Sequence, residues 1–446
     1  MLAKYNVSGP RYTSYPTAVE FSNQFIESDL LNAISCSEHN ELSLYVHIPF
    51  CHSLCYYCGC NKVVTRHSHK ADEYLEYLFK EISLRAPQFA SYTVKQLHWG
   101  GGTPTFLTKS QISQLVAKLK ETFQFAQDIE MSIEVDPREI ELDVVDHLFS
   151  EGFNRLSIGV QDTDEIVQQA INREQSTEFI TALVHRAKSV GFRSVNLDLI
   201  YGLPHQSLAT FAKTLDAVKI MDPDRISLFS YAHLPSRFAS QRKIRDEWLP
   251  SADDKFALLQ FAIESFLAMG YEFIGMDHFA KPNDELAIAQ KSGSLHRNFQ
   301  GYTVLDDCDL LGLGVSSISS IGQSFSQNVK TLKEYYGSID AGLTPLEKGI
   351  VTSRDDVIRA VVIKDLMCNF KISKTKISEQ FGIHFDQYFG QDIASLQTFI
   401  DDGLLTNNDD EIKVVQKGRL LIRNICMSFD AYLRTKLHQQ RFSRVI

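Results

Sequence analysis

Cys51, Cys55, Cys58 and Cys60 fall within ten residues, in FCHSLCYYCGCNK, while the other four of the eight cysteines, Cys36, Cys308, Cys368 and Cys426, are scattered. In a reducing compartment a tight thiol group points to metal or catalysis, and scattered thiols to packing. The first three are spaced C-x3-C-x2-C, a loop that can reach three corners of an iron–sulfur cube and leave the fourth iron without a protein thiolate. An iron left open is a Lewis acid able to chelate a small ligand through amine and carboxylate, which is what reductive cleavage of a sulfonium demands. The rival is zinc, which wants four Cys or His ligands in a structural site, with Cys60 or His52 on offer as the fourth. Structural zinc usually splits its ligands into two separated pairs, whereas these crowd one loop.

Other residues suit a small ligand beside that loop. Gly100, Gly101 and Gly102 of GGGTP lack the side chains that would keep a ligand from their backbone, although such a triplet also reads as a tight turn. Glu134 in EVDP and Asp198 in NLDLIYG are carboxylates in otherwise apolar runs, where a charge is costly unless it finds a partner. Cys60 reads as a spare thiol, a hydrogen donor near substrate, or a small packed residue.

What must position these groups is a repeated strand-then-helix rhythm. Strand candidates are Leu44 to Ile48, Gln96 to Trp99, Met131 to Val135, Arg155 to Val160, Val195 to Ile200 and Arg225 to Phe229, several of them near-continuous apolar runs as in buried parallel strands. Helical patterns lie at Ala71 to Arg85, Lys109 to Phe123, Leu142 to Ser150, Thr177 to Val190 and Phe211 to Met221. Six such units predict a parallel α/β sheet, curled into a barrel or lying open. The polar motifs HIPFC, GGGTP, EVDP, GVQD, LDLIYGLP and YAHLP close all six strands, which favours a ring around one cavity. Asp253 to Met269, YEFIGMDHFA and the glycine-rich run from Leu310 to Gly322 read as an extension of it. From about Arg354 helices precede a hairpin with its turn at Asn407 to Asp410, resembling a small winged-helix module.

YVHIPFCHSLCYYCGCNK resembles the cluster loop of radical S-adenosylmethionine enzymes, and specifically of oxygen-independent coproporphyrinogen III oxidases (dehydrogenases). RYTSYPTA, LHWGGGTPTFL, SIEVDPREI, GFNRLSIGVQD, NREQ, NLDLIYGLP, YAHLPSRFASQRKI, GMDHFA, LHRNFQGYT and RLLIRNICMSFDAYL resemble that family in the same order, over essentially the whole chain. The resemblance implies a partial (β/α)6 TIM-like radical SAM barrel at 41–350, an N-terminal arm over the active site at 1–40, and a mostly helical, winged-helix-like domain at 351–446. It implies Cys51, Cys55 and Cys58 as ligands of a 4Fe-4S cluster, without Cys60. Contacts to S-adenosyl-L-methionine, of which two molecules are expected, fall on Tyr45, Tyr57, Gly101, Gly102, Thr103, Glu134, Gln161, Arg173, Asp198, Ala232 and Ile318, with Tyr45 also in a catalytic role. Arg11 and Tyr12 are the implied substrate residues; Lys62 and Arg297 are further donors suited to a tetracarboxylate.

The implied activity is oxidative decarboxylation of two propionates of coproporphyrinogen III to vinyl groups, giving protoporphyrinogen IX, with an external electron donor and acceptor. The alternative is a haem-binding or haem-delivery relative that keeps the cluster without decarboxylase activity; it usually lacks both the RYTSYPT arm and a cysteine at position 60. A net charge of -10 over 446 residues argues against nucleic acid as main partner. Residues 351–446, with 14 Lys and Arg against 12 Asp and Glu, read as a solvated cap. With no apolar leader and no run of eighteen apolar residues, a cytoplasmic chain with no membrane span is expected, and a monomer.

Overall fold

The computed structural model describes residues 2–305 and 308–435. The chain forms two compact units: Ser22–Tyr271 with Asp307–Gly349, and Met1–Phe21 with Glu272–Asp306 and Ile350–Ile446. This cut differs from the expected succession of arm, barrel and C-terminal domain.

In the larger unit six strands, β1 (Glu41–Ile48), β2 (Thr93–Gly101), β3 (Gln124–Val135), β4 (Arg155–Gln161), β5 (Ser194–Tyr201) and β6 (Arg225–Ser230), alternate with helices α1 (His69–Arg85), α2 (Lys109–Thr122), α3 (Val144–Glu151), α4 (Thr177–Val190) and α5 (Leu208–Met221). The apolar runs become strands because they are covered by helices: Leu42, Leu44, Val46 and Ile48 of β1 and Val94, Leu97 and Trp99 of β2 are fully buried. Helix ends are set locally. Thr108 and Gln111 form a reciprocal cap on α2, through Gln111 N to Thr108 Oγ1 at 3.2 Å and Thr108 N to Gln111 Oε1 at 2.9 Å. Gly152 and Gly191 close α3 and α4 in left-handed conformation.

Each strand pairs in parallel with the next in chain order. An order without reversal means that right-handed crossovers lay every helix on one face, so the sheet curls instead of becoming doubly wound. The face without helices is the interior, where Tyr45, His98, Ser132, Glu134, Ser157, Asn196 and Asp198 remain partly accessible among buried neighbours. On the other side of β1 lies β7 (Cys308–Leu313), also parallel, followed by antiparallel β8 (Ile318–Ile321) and β9 (Ser324–Asn328). These nine strands are consecutive, from β9 through β1 to β6, in an open row of twelve.

In the smaller unit the helix α6 (Arg354–Asn369) leads into strands at Lys371–Ser373, Leu405–Asn407 and Glu411–Val414, with the last one central and antiparallel to both others. Short helices fill the interval, and Asn408 Oδ1 closes the hairpin by accepting Asp410 N and Glu411 N at 3.0 and 2.8 Å. This is the winged-helix-like pattern read from the sequence. Tyr5, Tyr12 and Tyr15 share one buried cluster with Ile274, Leu286, Leu366, Phe370 and Phe429. Hence residues 1–21 and the hairpin of Glu272–Gly275 and His278–Ala280 belong with the C-terminal helices, where their apolar side chains find cover.

Candidate cluster and cofactor site

The thiol loop leaves β1, pairs within itself and is tied to the segments that follow two other strands. Phe50–Cys51 pairs with Val63–Val64. Tyr56 N donates to Ile171 O at 2.9 Å, and Asn172 Nδ2 to Leu54 O at 2.8 Å. Beyond β6, Gln241 Nε2 donates to Tyr57 O at 2.9 Å and to Ala232 O at 3.2 Å, and Ser240 Oγ to Cys58 O at 3.2 Å. Tyr56 and Tyr57 rest on Val167, Ile171, Tyr231 and Ile244. The segments that follow β4 and β6 thus meet the loop through Ile171, Asn172, Ser240 and Gln241, and Gln241 links the loop to the Ala232 carbonyl.

The three thiols have different surroundings. Cys51 is buried, Thr103 Oγ1 donates to its Sγ at 3.5 Å, and burial pushes its thiol up to about 11. Cys55 is buried and takes Arg138 Nη2 at 3.3 Å and Arg173 Nη1 at 3.4 Å on its sulfur. Cys58 Sγ takes the backbone N–H of Cys60 at 3.4 Å; the Cys60 side chain and then the Lys62 charge hold its thiol down to about 6. Cys60 itself is exposed.

These surroundings suit a cluster. Hydroxyl, backbone and guanidinium N–H groups aimed at sulfur stabilise thiolates that carry iron. Arg173 Nε is buried without an acceptor, a donor left over for a ligand. Among the described residues no three His, Cys, Asp or Glu side chains close on a point that one ion would occupy.

The glycine triplet has a clearer structural role than expected. A Cβ on Gly100 would lie 2.9 Å from Glu134 Oε1, on Gly101 2.7 Å from the His47 ring, and on Gly102 2.7 Å from Pro49 O. The close approaches are therefore between the end of β2 and, in turn, β3, the end of β1 and the root of the thiol loop. Gly101, at φ 118°, also donates its N–H to Glu134 Oε2 at 3.2 Å.

On the interior face Tyr45 stacks on His98 at 5.9 Å and bonds to His47 Nδ1 at 3.1 Å. His47 Nε2 lies 3.1 Å from the Asn61 carbonyl, which only accepts; Nε2 carries the proton, and Tyr45 therefore donates to Nδ1. Burial lowers the pKa of His47 and raises that of Tyr45, keeping both neutral. Glu134 Oε1 sits 3.6 Å from His98 Nε2. Asp198 accepts from Ser157 Oγ at 3.2 Å and Asn196 Nδ2 at 2.9 Å; burial, then the Glu134 charge, push its carboxyl up to about 6. Gln161 is buried with φ 65°, at a register shift against β5 that turns its backbone at the strand end. Ile318 opens β8, and its carbonyl would lie 2.5 Å from a Cβ on Gly312.

Sequence reasoning missed Asp136 and Arg138. Arg138 Nε and Nη2 straddle Asp136 at 2.9 and 2.6 Å, and Arg173 Nη1 reaches the same carboxylate at 3.2 Å. Burial opposes ionisation, yet the two guanidiniums hold Asp136 down to about 2. The available signal was a charged D-P-R turn directly after a strand. Arg11 and Tyr12 lie in the smaller unit. Arg11 pairs with Asp277 at 3.4 Å, and buried Tyr12 donates to Asp430 at 2.9 Å, so its hydroxyl proton is engaged there.

Residues 45–218 match the radical SAM superfamily model, and 352–421 match the HemN C-terminal domain. A relative from Salmonella typhimurium named oxygen-independent coproporphyrinogen III oxidase is 58% identical over 446 residues, covering 100% of this chain and 98% of its own. A Pseudomonas aeruginosa relative of the same name is 47% identical over 451 residues, with 100% and 98% covered. The solved coproporphyrinogen III oxidase of Escherichia coli, described as a radical SAM enzyme, superposes with a TM-score of 0.94 at 57% identity, covering 97% of this chain and 98% of that one.

Proposed function

The chain belongs to the oxygen-independent coproporphyrinogen III oxidases of the radical SAM superfamily, and from that membership we propose how its residues divide the work. It is an oxidoreductase that uses a 4Fe-4S cluster and S-adenosyl-L-methionine to turn two propionates of coproporphyrinogen III into vinyl groups, giving protoporphyrinogen IX. A cluster held by this loop would supply the electron for reductive cleavage of S-adenosylmethionine and so the radical chemistry that oxidises the propionate, with carbon dioxide as the product and an external acceptor for the electron released.

Cys51, Cys55 and Cys58 hold the cluster, and the donors on their sulfurs support that role. Glu134 and Asp198, acceptors on the interior face, take ammonium or hydroxyl donors of the cofactor. Tyr45, Tyr57, Gly101, Gly102, Thr103, Gln161, Arg173, Ala232 and Ile318 complete the cofactor contacts. Neutral Tyr45 and His47 form a wall that neither gives nor takes protons, as hydrogen-atom abstraction requires. Arg11 is assigned to the propionates and Tyr12 to holding the arm that carries it. The reaction is placed in the cytoplasm, in a monomer served by an external reductant. Among the described residues no helix is long and apolar enough to cross a membrane. The haem-delivery alternative is not favoured, since these relatives are named as oxidases.

The carrying observation is the loop of three thiols, each with a hydrogen-bond donor on its sulfur. The test is anaerobic protein reconstituted with iron and sulfide, then given reductant, S-adenosylmethionine and coproporphyrinogen III. Formation of 5′-deoxyadenosine together with a porphyrinogen two carboxylates lighter is the expected result. Cofactor cleavage without decarboxylation would sink the substrate assignment. Cys51→Ala, Cys55→Ala or Cys58→Ala removes both products, whereas Cys60→Ala keeps cluster absorption.

A further inference from the structure

Cys55 differs from its two companions in carrying guanidinium donors. Its sulfur takes Arg138 Nη2–H at 3.3 Å and Arg173 Nη1–H at 3.4 Å, against a threonine hydroxyl on Cys51 and, on Cys58, a backbone N–H with the single Lys62 ammonium nearby. Both guanidiniums share the carboxylate of Asp136, so two cations facing one anion leave one positive charge in excess. That charge is shielded from water, with the Arg138, Arg173 and Asp136 side chains 10%, 6% and 12% exposed. Arg138 is also fixed in direction, since its Nη1 donates to Asn172 O at 3.2 Å while Asn172 Nδ2 donates to Leu54 O at 2.8 Å, one residue before Cys55.

We propose that Arg138 is a positioning residue that holds a permanent cation against the Cys55 corner of the cluster and thereby raises the cluster's reduction potential. Taking up an electron adds negative charge to a cluster already bound by thiolates. A buried cation with an N–H on a ligating sulfur stabilises that reduced form more than the oxidised one. Arginine is suited to this because it does not deprotonate and its planar fork binds Asp136 with two nitrogens while a third reaches Asn172.

The inference rests on the loop holding an iron–sulfur cluster, as proposed above. Failure of that reading appears in the parent protein as missing cluster absorption, whereas the role of Arg138 is read from differences among variants that do hold iron. The experiment is an anaerobic redox titration of the full chain, followed by electron paramagnetic resonance, on parent, Arg138→Met and Arg138→Lys, with iron counted in each. Arg138→Met is expected to keep its iron and to lose about tenfold in the reduced-to-oxidised ratio at a fixed poise, which is about 59 mV more negative for a one-electron couple. Arg138→Lys, which keeps the charge, recovers most of that shift. An unchanged potential in Arg138→Met overturns the assignment, as does a lysine variant as negative as the methionine one. If both variants lose their iron, Arg138 serves folding alone and the assignment also falls.

Discussion

Asp198 accepts hydrogen bonds from Asn196 and Ser157, yet its carboxyl titrates at about 6 because burial and the Glu134 charge disfavour its ionised form. Its folded pKa lies above the unfolded value of 3.8, so the fold binds this proton more tightly than the open chain does. The associated stability is complete below the unfolded pKa and is lost as pH rises through about 6. Asp198→Asn removes the cost of ionisation. Thermal melts of the ligand-free protein should show it more stable than the parent at pH 8, by about 3 kcal/mol, with the gain shrinking as pH falls toward 5, while its decarboxylase activity is lost. A gain that is the same at both pH values would contradict the account. Glu134 and Asp198 were legible in the sequence because a carboxylate inside an apolar run is conspicuous. Asp136 and Arg138 were not, since a charged turn reads as a solvated one until the topology brings Arg173 and Cys55 beside it.

One face of α1 shows how an element carries order to the site. Tyr74 Oη donates to the carbonyl of His47 at 2.7 Å and accepts Val315 N at 3.1 Å. Two turns along, the fully buried Glu81 accepts Gly314 N at 2.7 Å, Asn328 Nδ2 at 2.8 Å and Tyr335 Oη at 2.6 Å. The helix therefore fixes both the end of β1, where the thiol loop begins, and the turn between β7 and β8. All three partners of Glu81 donate, so a glutamine amide there would turn a donor against donors. Glu81→Gln should cost about 1–3 kcal/mol and Tyr74→Phe about 1–2 kcal/mol in urea unfolding. Because both hold Gly314–Val315, the double variant should deviate from additivity by about 0.5–3 kcal/mol; strict additivity would show two independent anchors. The strand and helix runs themselves were legible from apolar continuity, with bounds shifted where polar residues still pair. Thus β3 starts at Gln124 instead of Met131, and α5 at Leu208 instead of Phe211 because Ser207 caps it.

At the scale of the whole chain, the parallel sheet could be read from six successive strand–helix units and its curl from the polar motifs at the strand ends, but the partition of the chain could not. Residues 1–21, 272–306 and 350–446 form one unit through contacts between segments hundreds of positions apart, which no local periodicity encodes. Asn424 Nδ2 donates to Tyr5 O at 2.8 Å, Arg423 Nε to Pro10 O at 3.0 Å, and Tyr12 Oη to Asp430 at 2.9 Å. Tyr5 stacks on Phe399 at 5.1 Å. The N-terminal segment is therefore part of the smaller unit's core as well as the carrier of Arg11. Removing it would leave the buried Arg423 and Asn424 without their carbonyl acceptors and uncover the apolar cluster around Phe429. A chain lacking residues 1–21 should therefore show a lowered melting transition, with cluster absorption at the thiol loop retained after reconstitution. A peptide of residues 1–21 added in trans should restore part of the lost stability. If the truncated chain melts like the parent and loses only activity, the segment acts solely through substrate, and its assignment to the core is wrong.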